Sequence, residues 1–157
     1  MHLIQLFAAK YLILVVVLMA LGYWLTLSKK VKIELMVFGL IAGIVSFMLA
    51  KIGASLFYDT RPFVAQHIAP LYPRGADNGF PSDHTLLAAF TAVTIYTSSR
   101  RLGIGLMVLA VIIGTSRVIG HIHSPIDIVG SLIFALLGGF VAAQLAPRVI
   151  AKLSKNI

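Results

Sequence analysis

The chain reads as long apolar runs separated by short polar segments, and most of the runs are too long to be ordinary strands. About 20 mostly apolar residues carry a helix across the hydrocarbon of a bilayer. Five runs meet or approach that length: Tyr11–Leu27; Ile33–Tyr58, broken only by Glu34 and Lys51; a third that follows Pro81 and closes near Thr97; Leu102–Ile119; and Ile126–Ala146. The third is short and carries several threonines, so hydropathy supports it least. The pattern predicts an all-α polytopic membrane helix bundle, with about five transmembrane helices in a single domain over residues 1–157. No basic n-region leads into the first run, and Trp24-Leu25-Thr26 is no small-residue cleavage site, so the run is expected to be a helix of the mature chain rather than a signal peptide. Gly39 and Gly43 form a GxxxG pair in the second run, which predicts close helix packing, within the chain before any dimer.

Composition narrows the class. A soluble domain is roughly 45–50% apolar and about 25% charged. Here hydrophobic residues reach 59%, charged residues only 11%, and mean hydropathy is +0.98. A chain of 157 residues cannot hide that excess in a soluble core. A soluble enzyme, a disordered chain and a nucleic-acid partner are all poor fits, so the net charge of +8 is read against a membrane. With no cysteine there is no disulfide, thiolate metal site or cysteine nucleophile.

Five crossings put the termini on opposite sides. One face then gathers Lys29, Lys30, Lys32, Arg100, Arg101, Arg148, Lys152 and Lys155 against the single acid Glu34. The other carries Lys10, Arg61, Arg74 and Arg117 with Asp59, Asp77, Asp83 and Asp127. The positive-inside rule places the first face in the cytoplasm. The chemistry-bearing residues therefore collect at the non-cytoplasmic face, where charges near helix ends tend to be functional.

They lie in two loops. Between the second and third runs stand Asp59-Thr60-Arg61-Pro62 and Asp77-Asn78-Gly79-Phe80-Pro81-Ser82-Asp83-His84-Thr85. Pro81 suits the first turn of a helix. Ser82 and His84 then sit where free N–H groups and the positive dipole end favour an anion. The competing reading is that Ser82 and Asp83 only cap the helix. Between the fourth and fifth runs stand Ser116-Arg117 and Gly120-His121-Ile122-His123-Ser124-Pro125-Ile126-Asp127. Ser124-Pro125-Ile126-Asp127 reads as a capping box. Arg117 and His121 are four apart and are expected to share a helix face, with Gly120 free to break the helix. Two arginines, two helix N-termini and a serine hydroxyl make a phosphate cradle, because the guanidinium fork matches phosphate oxygens. A histidine held by aspartate supplies a nucleophile, and a second histidine a proton donor. The carboxylates are too few and scattered for a two-metal site, and there is no P-loop. The inventory points to phosphoryl transfer with no metal and no cofactor.

Arg61-Pro62, Pro81-Ser82-Asp83-His84 and Ser116-Arg117-x5-His123-x3-Asp127 resemble the three signature blocks of the type 2 phosphatidic acid phosphatase superfamily, which includes bacterial acid phosphatases and vanadium haloperoxidases. The resemblance implies that His123 is the nucleophile, forming a phosphohistidine, that Asp127 orients it, and that His84 protonates the leaving oxygen. It implies that Arg61, Ser82 and Arg117 bind the phosphate. Two positions depart from the pattern. The family's lysine seven residues before the arginine is replaced by Ala54, with Lys51 one turn lower and expected to lean away from the site. Asp83 stands where glycine is common, in a version similar to bacterial undecaprenyl-diphosphate phosphatases, which makes it a candidate specificity residue. His121 lies outside the motif and receives no role. The expected activity is hydrolysis of a lipid phosphate or diphosphate, with undecaprenyl diphosphate first. A phosphatidylglycerophosphate or phosphatidate phosphatase stands second. A non-catalytic lipid-phosphate binder or transporter is the rival from another class.

Overall fold

The computed structural model describes residues 2–153. Lys155, counted above with the cytoplasmic cations, lies outside the described residues. The first segment comprises α1 (His2–Leu6), a π-helical turn (Phe7–Tyr11) and α2 (Leu12–Thr26). It is followed by α3 (Lys29–Leu56), the short α4 (Pro62–Ala65), α5 (Asp83–Tyr96), α6 (Arg100–Ile119) and α7 (Pro125–Leu153). No strand forms among the described residues; one isolated bridge joins Thr60 to Asn78.

The expected bundle is present, with corrected boundaries. Helix begins at His2 rather than Tyr11. Lys10 does not end it, because its ammonium lies 5.1 Å from the Tyr11 ring and 5.7 Å from the Tyr72 ring. The last helix runs through Pro147 to Leu153, past the expected end at Ala146. Among the described residues four helices are long and apolar enough to cross a membrane: His2–Thr26, Lys29–Leu56, Arg100–Ile119 and Pro125–Leu153. The third expected crossing, α5, has 14 residues. At 1.5 Å per residue that is about 21 Å, short of a hydrocarbon layer of about 30 Å.

The position of α5 explains its weak signal. It packs against α2, α3, α6 and α7, and Thr85, Leu86, Ala88, Ala89, Ala92 and Ile95 are buried. Its neighbours are protein, not lipid, and small side chains let helices approach closely. The large apolar residues face outward instead, among them Leu14, Leu18, Leu40, Phe47, Leu136 and Phe140. An exposed surface so apolar fits a lipid environment. The longest helix pairing joins α3 to α7. It depends on Gly138, where a Cβ would stand 2.1 Å from Ser46 Oγ and 2.6 Å from the Ala42 carbonyl. Gly39 lies against Thr94 and Gly43 against Phe90, so the GxxxG pair serves packing on α5 within the chain.

Candidate active site

The end of α6 brings the third sequence block together. Ile122 N donates to the Arg117 carbonyl at 3.0 Å and His121 N to the Val118 carbonyl at 3.0 Å. This is the Schellman arrangement that satisfies the last carbonyls of a helix. The residue taking the left-handed conformation is His121, with φ of 57°, rather than Gly120, whose φ is −79°. Gly120 is needed for space, since a Cβ would lie 3.1 Å from both Leu71 and the Ser116 carbonyl. The expected Arg117–His121 pairing on one helix face is therefore corrected. The helix has ended, His121 is exposed, and the residue folded back onto Arg117 is His123.

His123 is 1% exposed and sits at the centre of a hydrogen-bonded cluster. Its Nδ1 lies 2.9 Å from Asp127 Oδ2. A carboxylate accepts, so Nδ1 carries the proton and Nε2 presents its lone pair. Arg117 Nη2 lies 3.0 Å and Arg61 Nη1 3.4 Å from that Nε2. Burial holds the His123 imidazole below the usual histidine range, against the opposing pull of the Asp127 carboxylate. Arg117 is fully buried and its donors reach only neutral acceptors: the Ala9 carbonyl at 2.9 Å, the Tyr72 hydroxyl at 2.8 Å and His123. Its Nε has no partner. A buried guanidinium without a counter-anion is costly unless an anion arrives.

The first block is set by the loop before α5. Arg61 donates from Nε to Asp77 Oδ1 at 2.9 Å, from Nη1 to the Ile122 carbonyl at 3.1 Å and from Nη2 to the Asn78 carbonyl at 3.2 Å. The contact with Arg61 holds the Asp77 carboxyl below its usual range. Asn78 organises the loop: its amide donates to the carbonyls of Ala54 and Phe57, and its Oδ1 accepts from Asp59 N and Phe80 N. Gly79 lets this loop press on the cluster, since a Cβ there would stand 2.9 Å from Asp127 Oδ2.

The second block differs from expectation in detail. Pro81 precedes the helix, which starts at Asp83 with Ser82 at the N-cap position. Ser82 makes no capping bond through its side chain; its fully buried Oγ accepts from Thr85 Oγ1 at 3.2 Å. Ser82 N donates to the Asp127 carbonyl at 3.3 Å, which seats the N-terminus of α5 beside the first turn of α7. His84, half-buried on that first turn, has the guanidiniums of Arg117 and Arg74 as its charged neighbours and the His123 ring nearby. The Ser124–Asp127 capping box is half made. Asp127 Oδ2 accepts from Ser124 N at 3.0 Å, but the Ser124 hydroxyl is drawn off to Asp59 Oδ2. Asp83 does not join the His123 cluster. It lines a cavity of about 330 Å³ on α3's side of Arg61.

Lys51 and Arg74 line the same cavity. Lys51 leans toward the N-terminus of α3 as expected, with its ammonium 5.1 Å from the Phe47 ring, and it lines this cavity all the same. Arg74 and Tyr72 carry no spacing signal, and only the folded loop reveals their contacts.

Taken together, the geometry offers a neutral imidazole with its lone pair under two guanidiniums and a second histidine nearby. That set can receive a phosphoryl group. Comparison with known proteins agrees with it. Residues 10–151 match the PAP2 superfamily. The undecaprenyl-diphosphatase BcrC of Bacillus subtilis (strain 168) is 32% identical over 88% of this chain and 71% of its own length. The bacitracin transport permease protein BcrC of Bacillus licheniformis is 30% identical over 90% and 70%. YbjG of Escherichia coli (strain K12), provisionally named an undecaprenyl-diphosphatase, is 36% identical over 86% and 68%. No solved structure matches the chain significantly.

Proposed function

Because this chain belongs to the PAP2 superfamily and is a membrane lipid phosphatase, we propose that it hydrolyses undecaprenyl diphosphate to undecaprenyl phosphate through a phosphohistidine on His123. The observation that carries the mechanism is the neutral His123, oriented at Nδ1 by Asp127 and covered at Nε2 by Arg61 and the uncompensated Arg117. An arriving terminal phosphate draws both guanidiniums onto its oxygens and frees the Nε2 lone pair. Nε2 attacks phosphorus, and the bridging oxygen leaves with the lipid monophosphate, its charge relieved by a proton from His84. Water then attacks the phosphorus of the phosphohistidine and gives its proton to the deprotonated His84. The P–N bond breaks, Nε2 is restored and orthophosphate departs. Ser82 and the free N–H groups of the first turn of α5 supply further donors to the phosphate oxygens.

Metal independence is part of the proposal and rests on the donor chemistry. Asp127 is committed to His123, Asp77 to Arg61 and Asp59 to Ser124. The choice of a diphosphate rests on the names of the Bacillus subtilis and Escherichia coli relatives. The test is phosphate release by purified protein from prenyl diphosphates, phosphatidate and phosphatidylglycerophosphate. His123→Ala should abolish turnover and any acid-labile phosphoenzyme, and wild-type turnover should survive EDTA. Strict dependence on added Mg²⁺ overturns the mechanism, and faster hydrolysis of phosphatidate than of a prenyl diphosphate overturns the substrate. The transport name of the Bacillus licheniformis relative favours a second reading, a lipid-phosphate carrier. A carrier has no use for a phosphoenzyme, so the same trapping experiment separates the two.

A further inference from the structure

The cavity beside Arg61 is built from two different kinds of wall. Phe47, Ala50 and Lys51 belong to the membrane-crossing helix α3, whereas Arg74, Asp77 and Asn78 come from the loop before α5 and Asp83 from the start of α5. Arg61 also lines it, while His123, Arg117 and Asp127 do not. Arg61 thus belongs to both compartments: its Nη1 faces His123 Nε2 at 3.4 Å, and its side chain forms part of the cavity wall. Asp77 neutralises Arg61 at 2.9 Å. Lys51 and Arg74 make no ion pair among the described residues, so two cations remain in the cavity with Asp83 as the remaining acid. About 330 Å³ is far more room than one phosphate group needs.

Resting on the diphosphatase reading above, we propose that this cavity holds the second, lipid-side phosphate of the substrate, gripped by Lys51 and Arg74, while Arg61 is shared between the two phosphates. The terminal phosphate lies over His123 and Arg117. When the anhydride P–O bond breaks, the electron pair stays with the bridging oxygen and adds negative charge to the lipid-side phosphate. Lys51 and Arg74 meet that charge where it develops. A lipid monophosphate, whose single phosphate must lie over His123, leaves them unused. Lys51 and Arg74 are therefore specificity residues for diphosphates.

The test uses the full chain in a neutral detergent free of phospholipid, with farnesyl diphosphate and farnesyl monophosphate compared side by side. Lys51→Gln and Arg74→Gln should each lower kcat/KM for the diphosphate about tenfold or more, the size of one charge-assisted contact, with the monophosphate rate within about twofold of wild type. Lys51→Arg should restore much of the diphosphate rate. Retained monophosphate turnover shows that the variants fold. Methylenediphosphonate should inhibit the two glutamine variants more weakly than wild type, with inhibition by orthophosphate unchanged. Equal losses on both substrates, or no loss on the diphosphate, overturn the proposal. So does an effect that appears only when anionic phospholipid is added, which would assign the cavity to a membrane headgroup. Wild-type protein inert toward any prenyl diphosphate would instead remove the diphosphatase reading itself.

Discussion

At the residue scale, His121 separates chemistry from geometry. It stands in the third block two residues before His123, yet it is exposed and its φ of 57° does the work usually left to glycine. The left-handed region costs a residue with a Cβ roughly 1–2 kcal/mol. His121→Gly should therefore stabilise the fold by about 1 kcal/mol, read as a raised Tm in detergent, with phosphatase activity retained; a large loss of activity would give His121 a role in the reaction. His123 is the opposite case. Burial depresses its protonation, so the neutral form persists at neutral pH. As pH falls below the ordinary histidine value of about 6.5, the unfolded chain takes up a proton that the folded chain resists, and stability declines. Below the folded value the lone pair itself is lost and kcat/KM falls. The Asp127 hydrogen bond raises the His123 value, so Asp127→Asn should move the acid limb of the rate profile to lower pH. It should also slow turnover, less than His123→Ala does. His123, Asp127, Arg117 and Arg61 were legible in the sequence because their block spacings are fixed by one turn and two helix ends. The contacts of Arg74 and Tyr72 were not, because they span many residues and depend on how the loop before α5 folds.

At the scale of elements, hydropathy located four of the helices and under-read the fifth for a physical reason. Lipid-facing helices need large apolar residues, whereas α5, enclosed by four neighbours, needs small ones. The central helix is also the shortest of the five, at 14 residues, and so falls short of a full crossing. The same logic predicts where the bundle is least tolerant. Gly138→Ala places a methyl within 2.1 Å of Ser46 Oγ and 2.6 Å of the Ala42 carbonyl. The backbone oxygen cannot rotate away, so α3 and α7 must separate. Overpacking of this kind costs about 1–3 kcal/mol, measurable as a lowered Tm. Gly105→Ala, inside α6 with open space around it, should be neutral to stabilising by up to about 1 kcal/mol. Since α3 and α7 carry Lys51 and Asp127 respectively, Gly138→Ala should also reduce turnover.

At the scale of the whole molecule, the cation asymmetry proposes that the loop holding Arg61 faces outward. Single cysteines placed by Ala76→Cys and Ser98→Cys, both at exposed positions, should react oppositely with an impermeant thiol reagent in intact cells. Labelling of Ser98→Cys alone would invert the topology. Gly79 is unsuitable for this purpose, because it is packed against Asp127. The hydrogen bond from Arg117 to the Ala9 carbonyl joins residues 108 apart. Arg117 on α6 is thus seated by the π-helical turn between α1 and α2. With Arg117 binding phosphate as proposed, catalytic competence waits for α6 to dock against the segment around Ala9. A protein stalled midway through insertion, or one whose leading helix has failed to dock, would be enzymatically silent, and the appearance of phosphatase activity in a timed translation would mark completed assembly.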